Sequence, residues 1–134
     1  MSYPLVNGID YAFMLMDERR NRAYQQAIEE VVQKTPSPLF IIDLGAGTGL
    51  LSSMAHKAMT KYSKTGHIYA IESSVKYAEI ARRNFEDNGI GCTLITKFSK
   101  NVTRGDLNHN ATSSSQRRWE PFVTLKKCRS SYET

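Results

Sequence analysis

The run Leu39-Phe40-Ile41-Ile42-Asp43-Leu44, followed at once by Gly45-Ala46-Gly47-Thr48-Gly49, constrains this chain more than any other stretch. Its apolar residues, interrupted by one carboxylate, read as a strand buried on both faces, the character of strands in a parallel sheet. The three alternating glycines mark a tight turn into a helix, with room for close approach to the backbone. A second apolar run, His67-Ile68-Tyr69-Ala70-Ile71, ends in Glu72, twenty-three residues beyond Gly49. A glycine turn after one strand and a carboxylate closing the next is an arrangement that holds a nucleoside. The glycines admit the ligand, and the carboxylate accepts both ribose hydroxyls.

The turn also narrows the ligand. Dinucleotide folds favour G-x-G-x-x-G, with a pyrophosphate at the helix N-terminus. Here the spacing is G-x-G-x-G, with Asp43 two residues ahead. A carboxylate in that position suits a cationic amino-acid moiety better than phosphates. S-adenosylmethionine has that character, with an ammonium, a sulfonium and a ribose. A nicotinamide cofactor and an ordinary strand–turn–helix connection are the competing readings.

Around these two strands the chain alternates helix and strand. Residues 1–10 form an irregular lead-in, and a helical pattern runs from about Tyr11 to Gln33, ended by Pro36 and Pro38. Leu51, Met54, Ala55, Ala58, Met59 and Tyr62 repeat at threes and fours, an amphipathic helix after the glycine turn. Ser73 or Ser74 caps a further helix carrying Val75, Ala78, Ala81 and Phe85, stopped by Asn88-Gly89. Gly91 to Phe98 reads as a third strand. The order α-β-α-β-α-β predicts an α/β, Rossmann-like domain over residues 11–107, with about three parallel strands and helices on both faces. Residues 108–134 are polar and read as a flexible tail. Its one apolar island, Trp119, Phe122, Val123 and Leu125, would add an edge strand or remain disordered.

At 134 residues there is room for one domain. The net charge of +5 is spread without a basic block, so direct nucleic-acid binding is not expected. No apolar stretch reaches the length of a membrane span, and no signal-peptide pattern opens the sequence. Cys92 and Cys128 read as free thiols, and no Cys/His spacing suggests a metal site. The expected location is the cytoplasm or nucleus.

The segments Met14-Leu15-Met16-Asp17-Glu18-Arg19-Arg20-Asn21-Arg22-Ala23-Tyr24, Ile41 to Ser52, and Tyr69-Ala70-Ile71-Glu72 together resemble the protein arginine methyltransferases. Asn21, with Lys97-Phe98-Ser99 and Val102, looks closest to the branch with two tandem methyltransferase modules. The resemblance covers roughly residues 11–107 and implies a class I methyltransferase fold. It implies that Arg20 grips the carboxylate of S-adenosylmethionine with its guanidinium fork. Glu72 would hold the ribose, while Gly45, Gly47 and Gly49 line the methionine end. Met14 would pack near the transferred methyl, and Tyr11 would lie where the same helix covers the cofactor. Ser99 and Lys100 fall where the family contacts adenine, although the carboxylate common there is missing.

After Leu107 the resemblance stops. The family's two substrate-binding glutamates have no counterpart; Glu120 and Glu133 stand in the wrong context and spacing. A truncation, an alternative splice or a frame shift would produce such a tail. The expected activity is methyl transfer from S-adenosylmethionine to arginine side chains of a protein substrate, in a chain incomplete for catalysis. Arg20, Asp43, Gly45, Gly47, Gly49 and Glu72 would hold the donor, and no acceptor-side catalytic residue or oligomeric state is assigned. A non-catalytic cofactor- or partner-binding fragment and a small-molecule methyltransferase are the alternatives.

Overall fold

The computed structural model describes residues 18–107 and 122–126. Helix α1 spans Glu18–Lys34, strand β1 Leu39–Leu44, helix α2 Leu50–Lys61, strand β2 Gly66–Ile71, helix α3 Val75–Asp87 and strand β3 Thr93–Ile95. A 3₁₀ turn at Ser99–Asn101, the short helix α4 at Arg104–Leu107 and strand β4 at Val123–Lys126 complete the described elements. The lead-in and the N-terminal part of the expected first helix, with Tyr11, Met14 and Asp17, lie outside the described residues.

All four strands are parallel, in the order β3-β2-β1-β4. Leu39 pairs with Gly66 and Leu44 with Ile71, Tyr69 with Thr93, and Ile41 with Val123. The Rossmann-like α/β class therefore stands, with four strands where about three were expected. The apolar island makes the difference: Val123 and Leu125 pack against the core beneath α1 and α2, and Phe122 packs against the other. Residues 123–126 are thus sheet; the rest of the 108–134 segment falls outside the described residues.

Helices lie on both faces, as expected, but unequally: among the described residues the three long ones share one face and the short α4 meets the other. Side chains alternate along a strand, so Ile41 and Ile68 share one face while Ile42, Tyr69 and Ile71 share the other. Ile28 and Val32 of α1 and Leu51, Ala55, Ala58 and Met59 of α2 pack with Leu39, Ile41 and Ile68. Ala81 and Phe85 of α3 pack with Ala70, on the same face. The cause is handedness. The steps from β1 to β2 to β3 move one way across the sheet, so successive right-handed crossovers fall on one side. The opposite core joins Ile42, Tyr69, Ile71 and Ile95 to Val102, to Leu107 of α4 and to Phe122.

β4 lies on the other side of β1, so the direction of travel reverses between β1 and β2 on one hand and β4 on the other. Such a reversal opens a crevice beyond the C-terminal ends of the strands, where ligands bind in open α/β sheets. The glycine turn and Glu72 stand at that end. At the other end Gly66 is obligatory: its φ is +144°, and an added Cβ would fall 1.8 Å from the Leu39 carbonyl oxygen.

Candidate functional site

The turn leaving β1 is built from residues that tolerate left-handed backbone. Gly45, Gly47 and Gly49 have φ of +66°, +60° and +90°. Gly45 has open space where a Cβ would stand, whereas at Gly49 a Cβ would come within 2.5 Å of the Phe85 ring. The turn is therefore open at its start and closed against α3 at its end.

Glu72 draws the turns after β1 and β2 together. Its Oε1 accepts the Gly47 N–H at 2.8 Å and its Oε2 accepts the Ser74 N–H at 2.8 Å. The loop is further tied to the sheet, because Ala46 N–H donates to the Ile71 carbonyl at 2.9 Å and Glu72 N–H to that of Ile95 at 3.0 Å. Each carboxylate oxygen carries two lone pairs, so Glu72 keeps acceptor capacity beyond these two bonds. An acceptor-only carboxylate beside an open glycine backbone fits a vicinal diol and repels a phosphate.

Asp43 sits below the turn and is completely buried. Its Oδ2 accepts the Ser52 hydroxyl at 2.8 Å and the Ser52 N–H at 3.2 Å. Cys92, a free thiol, lies close by. Burial first, and the Asp43 charge second, push that thiol up to about 12.

Arg20 stands on α1. Glu29 of that helix meets Lys61, the last residue of α2, at 3.0 Å, so the two helices run side by side in one direction. The first turns of α1, with Arg20, consequently lie at the glycine end of the sheet. The Arg20 guanidinium donates to the Tyr24 hydroxyl, 3.2 Å from Nη2, and its carbon lies 5.6 Å from the Tyr24 ring centroid.

Of the six residues expected to hold a donor, the structure thus gathers Gly45, Gly47, Gly49 and Glu72 into one cluster. Asp43 lies beneath it, and Arg20 is held by Tyr24 on the adjacent helix. Ser99 and Lys100 belong to the exposed 3₁₀ turn after β3, where the Lys100 ammonium lies 5.9 Å from the Phe98 ring centroid. Among the described residues no group of three His, Cys, Asp or Glu side chains could hold a metal ion.

Three contributors were not read from sequence. Ser52 binds Asp43, the Asn84 amide donates to the Thr48 carbonyl at 3.0 Å, and Phe85 closes the turn at Gly49. Ser52 alone carried a signal, because it is the third residue of a helix whose N-cap, Gly49, has no side chain.

A parallel sheet with a reversal beside its first strand, a glycine turn there, and a carboxylate closing the second strand together define the Rossmann-like fold of class I methyltransferases. No protein-family model matches the sequence. Protein arginine N-methyltransferase 1.6 of Arabidopsis thaliana is 41% identical over 103 residues, covering 75% of this chain and 14% of the relative. Protein arginine N-methyltransferase 7 of Gallus gallus is 37% identical over 100 residues, covering 71% of this chain and 14% of the relative. Among solved structures, the Trypanosoma brucei PRMT1 enzyme–prozyme heterotetrameric complex with AdoHcy superposes with a TM-score of 0.59 at 27% identity. That match covers 72% of this chain and 29% of that one. The chain is homologous to the protein arginine N-methyltransferases, and it spans about 14% of the length of these curated relatives.

Proposed function

We propose that this chain binds S-adenosylmethionine and belongs to an apparatus that transfers its methyl group to arginine side chains of proteins. The observation that carries the reading is the Glu72 carboxylate, held against the Gly47 amide at the mouth of the crevice. An acceptor with spare lone pairs beside an open glycine backbone is what a ribose diol requires. Homology to the protein arginine N-methyltransferases supports the choice of donor and acceptor.

When bound, the sulfonium of the donor supplies an electrophilic methyl group, so the protein's task is alignment. Glu72 would take the ribose hydroxyls. Gly45, Gly47 and Gly49 would let the backbone approach the methionine part, and Arg20, freed from Tyr24, would grip its carboxylate with two parallel N–H bonds. Asp43, fully buried beneath the turn, would act on the donor only through the backbone it holds.

Among the described residues no helix is long and apolar enough to cross a membrane. A cytoplasmic or nuclear setting is our reading, supported by the free Cys92 thiol, which persists in reducing compartments.

Titration calorimetry with S-adenosylhomocysteine, on the wild-type chain and on Glu72→Ala, tests the donor site. Saturable binding that the variant loses is expected, and a folded wild-type chain that does not bind refutes the reading. A radiolabelled methyl-transfer assay on an arginine-rich peptide tests the second half. Binding without transfer would make this chain a donor-binding unit only.

A further inference from the structure

The first turn of α2 lacks its usual cap. Its N-cap residue is Gly49, which has no side chain to offer, and the helix contains no acidic residue in its first turn. The N–H of the third helical residue, Ser52, would ordinarily be met by an N-cap oxygen. Here it is met by the carboxylate of Asp43, reaching across from β1, and the same oxygen takes the Ser52 hydroxyl. Both residues are 0% exposed. The carboxylate on the penultimate residue of the strand and the serine in the first turn of the helix therefore clamp the two ends of the glycine turn from beneath.

The geometry points to Asp43 and Ser52 as one positioning unit, a remote cap that fixes the shape of the glycine turn from below, rather than to Asp43 as a group that touches the donor. A cap supplied by Gly49 itself is impossible, and a larger residue there would strike Phe85, 2.5 Å from the position of a Cβ. Holding the helix start from the strand keeps the capping group off the side of the turn on which Gly45 is open. Because a buried carboxylate already takes the Ser52 amide at the start of α2, a ligand phosphate seated there would meet negative charge. The unit thereby favours a nucleoside ligand without phosphates at this position. Only this ligand preference rests on the donor-binding reading above; the capping does not.

Amide hydrogen exchange of the ligand-free full chain, for wild type, Ser52→Ala, Ser52→Thr, Asp43→Asn and the double variant Asp43→Asn/Ser52→Ala, tests the unit. Ser52→Ala is expected to speed exchange at residues 45–52 about tenfold, as suits loss of a bond to a charged group, while the central amides of α1 and α3 are unchanged. Ser52→Thr, which keeps the hydroxyl, is expected to restore slow exchange. The double variant should exchange no more than about twice as fast as the worse single one, since the two residues act together. In calorimetry with S-adenosylhomocysteine, Ser52→Ala should weaken binding about tenfold in parallel. If Asp43→Asn abolishes binding while Ser52→Ala leaves exchange and binding at wild-type values, Asp43 contacts the ligand and the inference fails. Equal exchange in Ser52→Ala and Ser52→Thr overturns it as well, even if Asp43→Asn does not fold. If the exchange pattern holds but wild type binds no S-adenosylhomocysteine, the clamp stands and the donor reading falls.

Discussion

Replacing Glu72 by glutamine is a nearly isosteric change that should nonetheless destabilise the ligand-free protein. The carboxylate takes one N–H on each oxygen, from Gly47 and from Ser74, both at 2.8 Å. A carboxamide has one acceptor and one donor end, so in either orientation one backbone N–H faces an NH₂ group. The Gly47 contact is buried and the Ser74 contact partly buried. The amide oxygen should therefore turn towards Gly47 and leave the Ser74 N–H to water. A hydrogen bond to a charged acceptor contributes about 1.5–3 kcal/mol. Having one charge fewer to bury offsets part of its loss, so the lower end, about 1.5 kcal/mol, is expected. At roughly 4 °C per kcal/mol for a chain of this size, the melting temperature should fall by about 6 °C. Thermal and urea unfolding followed by circular dichroism, without ligand, measure this directly. A glutamine variant within about 0.5 kcal/mol of wild type would show that the two turns hold their shape without the carboxylate, and Glu72 would not be what joins them.

Gly49→Ala and Gly45→Ala should separate stability from binding. At Gly49 the added methyl meets the core residue Phe85 at a φ of +90°, so overpacking and backbone strain together should cost about 3 kcal/mol in urea unfolding. At Gly45 nothing lies within 4 Å, so the cost should be the left-handed backbone alone, about 1–2 kcal/mol, while a methyl now projects into the turn's open side. Calorimetry on Gly45→Ala should show weakened S-adenosylhomocysteine binding by a folded chain. The turn before α4 should be acid-sensitive. The Thr103 N–H, and then Lys97, hold the Asp106 carboxyl below its ordinary 3.8. Its contribution is complete above that value and is lost as pH falls through the lower, folded one. The Thr103 amide resonance, followed from about pH 5 down to about pH 2, should track that loss, and a flat response would refute it.

How much of this was legible in the sequence follows the range of the interactions. The helix after the glycine turn announced itself through repeats at three and four, and Ser74 does cap α3 by accepting the Tyr77 N–H at 3.3 Å. Asn88-Gly89 ends that helix as expected, with Gly89 at a φ of +64°. These are decided within one turn of chain. The third strand was read from Gly91 to Phe98 but spans only Thr93–Ile95, since its length is set by the partner it finds on β2. β4 is four residues whose strand character comes from pairing with β1, eighty-two positions earlier by the Ile41–Val123 register. The clamp of Asp43 on Ser52 needed the strand and helix placed before a capping interaction could be seen across nine residues. The side on which the helices lie was settled by strand order, which no periodicity records.

The same locality bears on what the site can do by itself. The side-chain hydrogen bonds named at the glycine turn fall between residues 43 and 84: Asp43 with Ser52, Glu72 with Gly47 and Ser74, Asn84 with Thr48. One β-α-β-α stretch supplies them all, and Arg20 is brought alongside by the packing of α1 on α2. A donor site assembled this way owes its shape to neighbours in sequence, which favours its forming wherever this stretch folds. Methyl transfer asks for more, because an acceptor nitrogen must be aligned with the methyl group, and none of these residues is placed to do that. Donor binding and transfer should therefore respond to different substitutions: changes at Gly45, Ser52 or Glu72 should move affinity for S-adenosylhomocysteine, and any residue that changes transfer alone must lie outside this cluster.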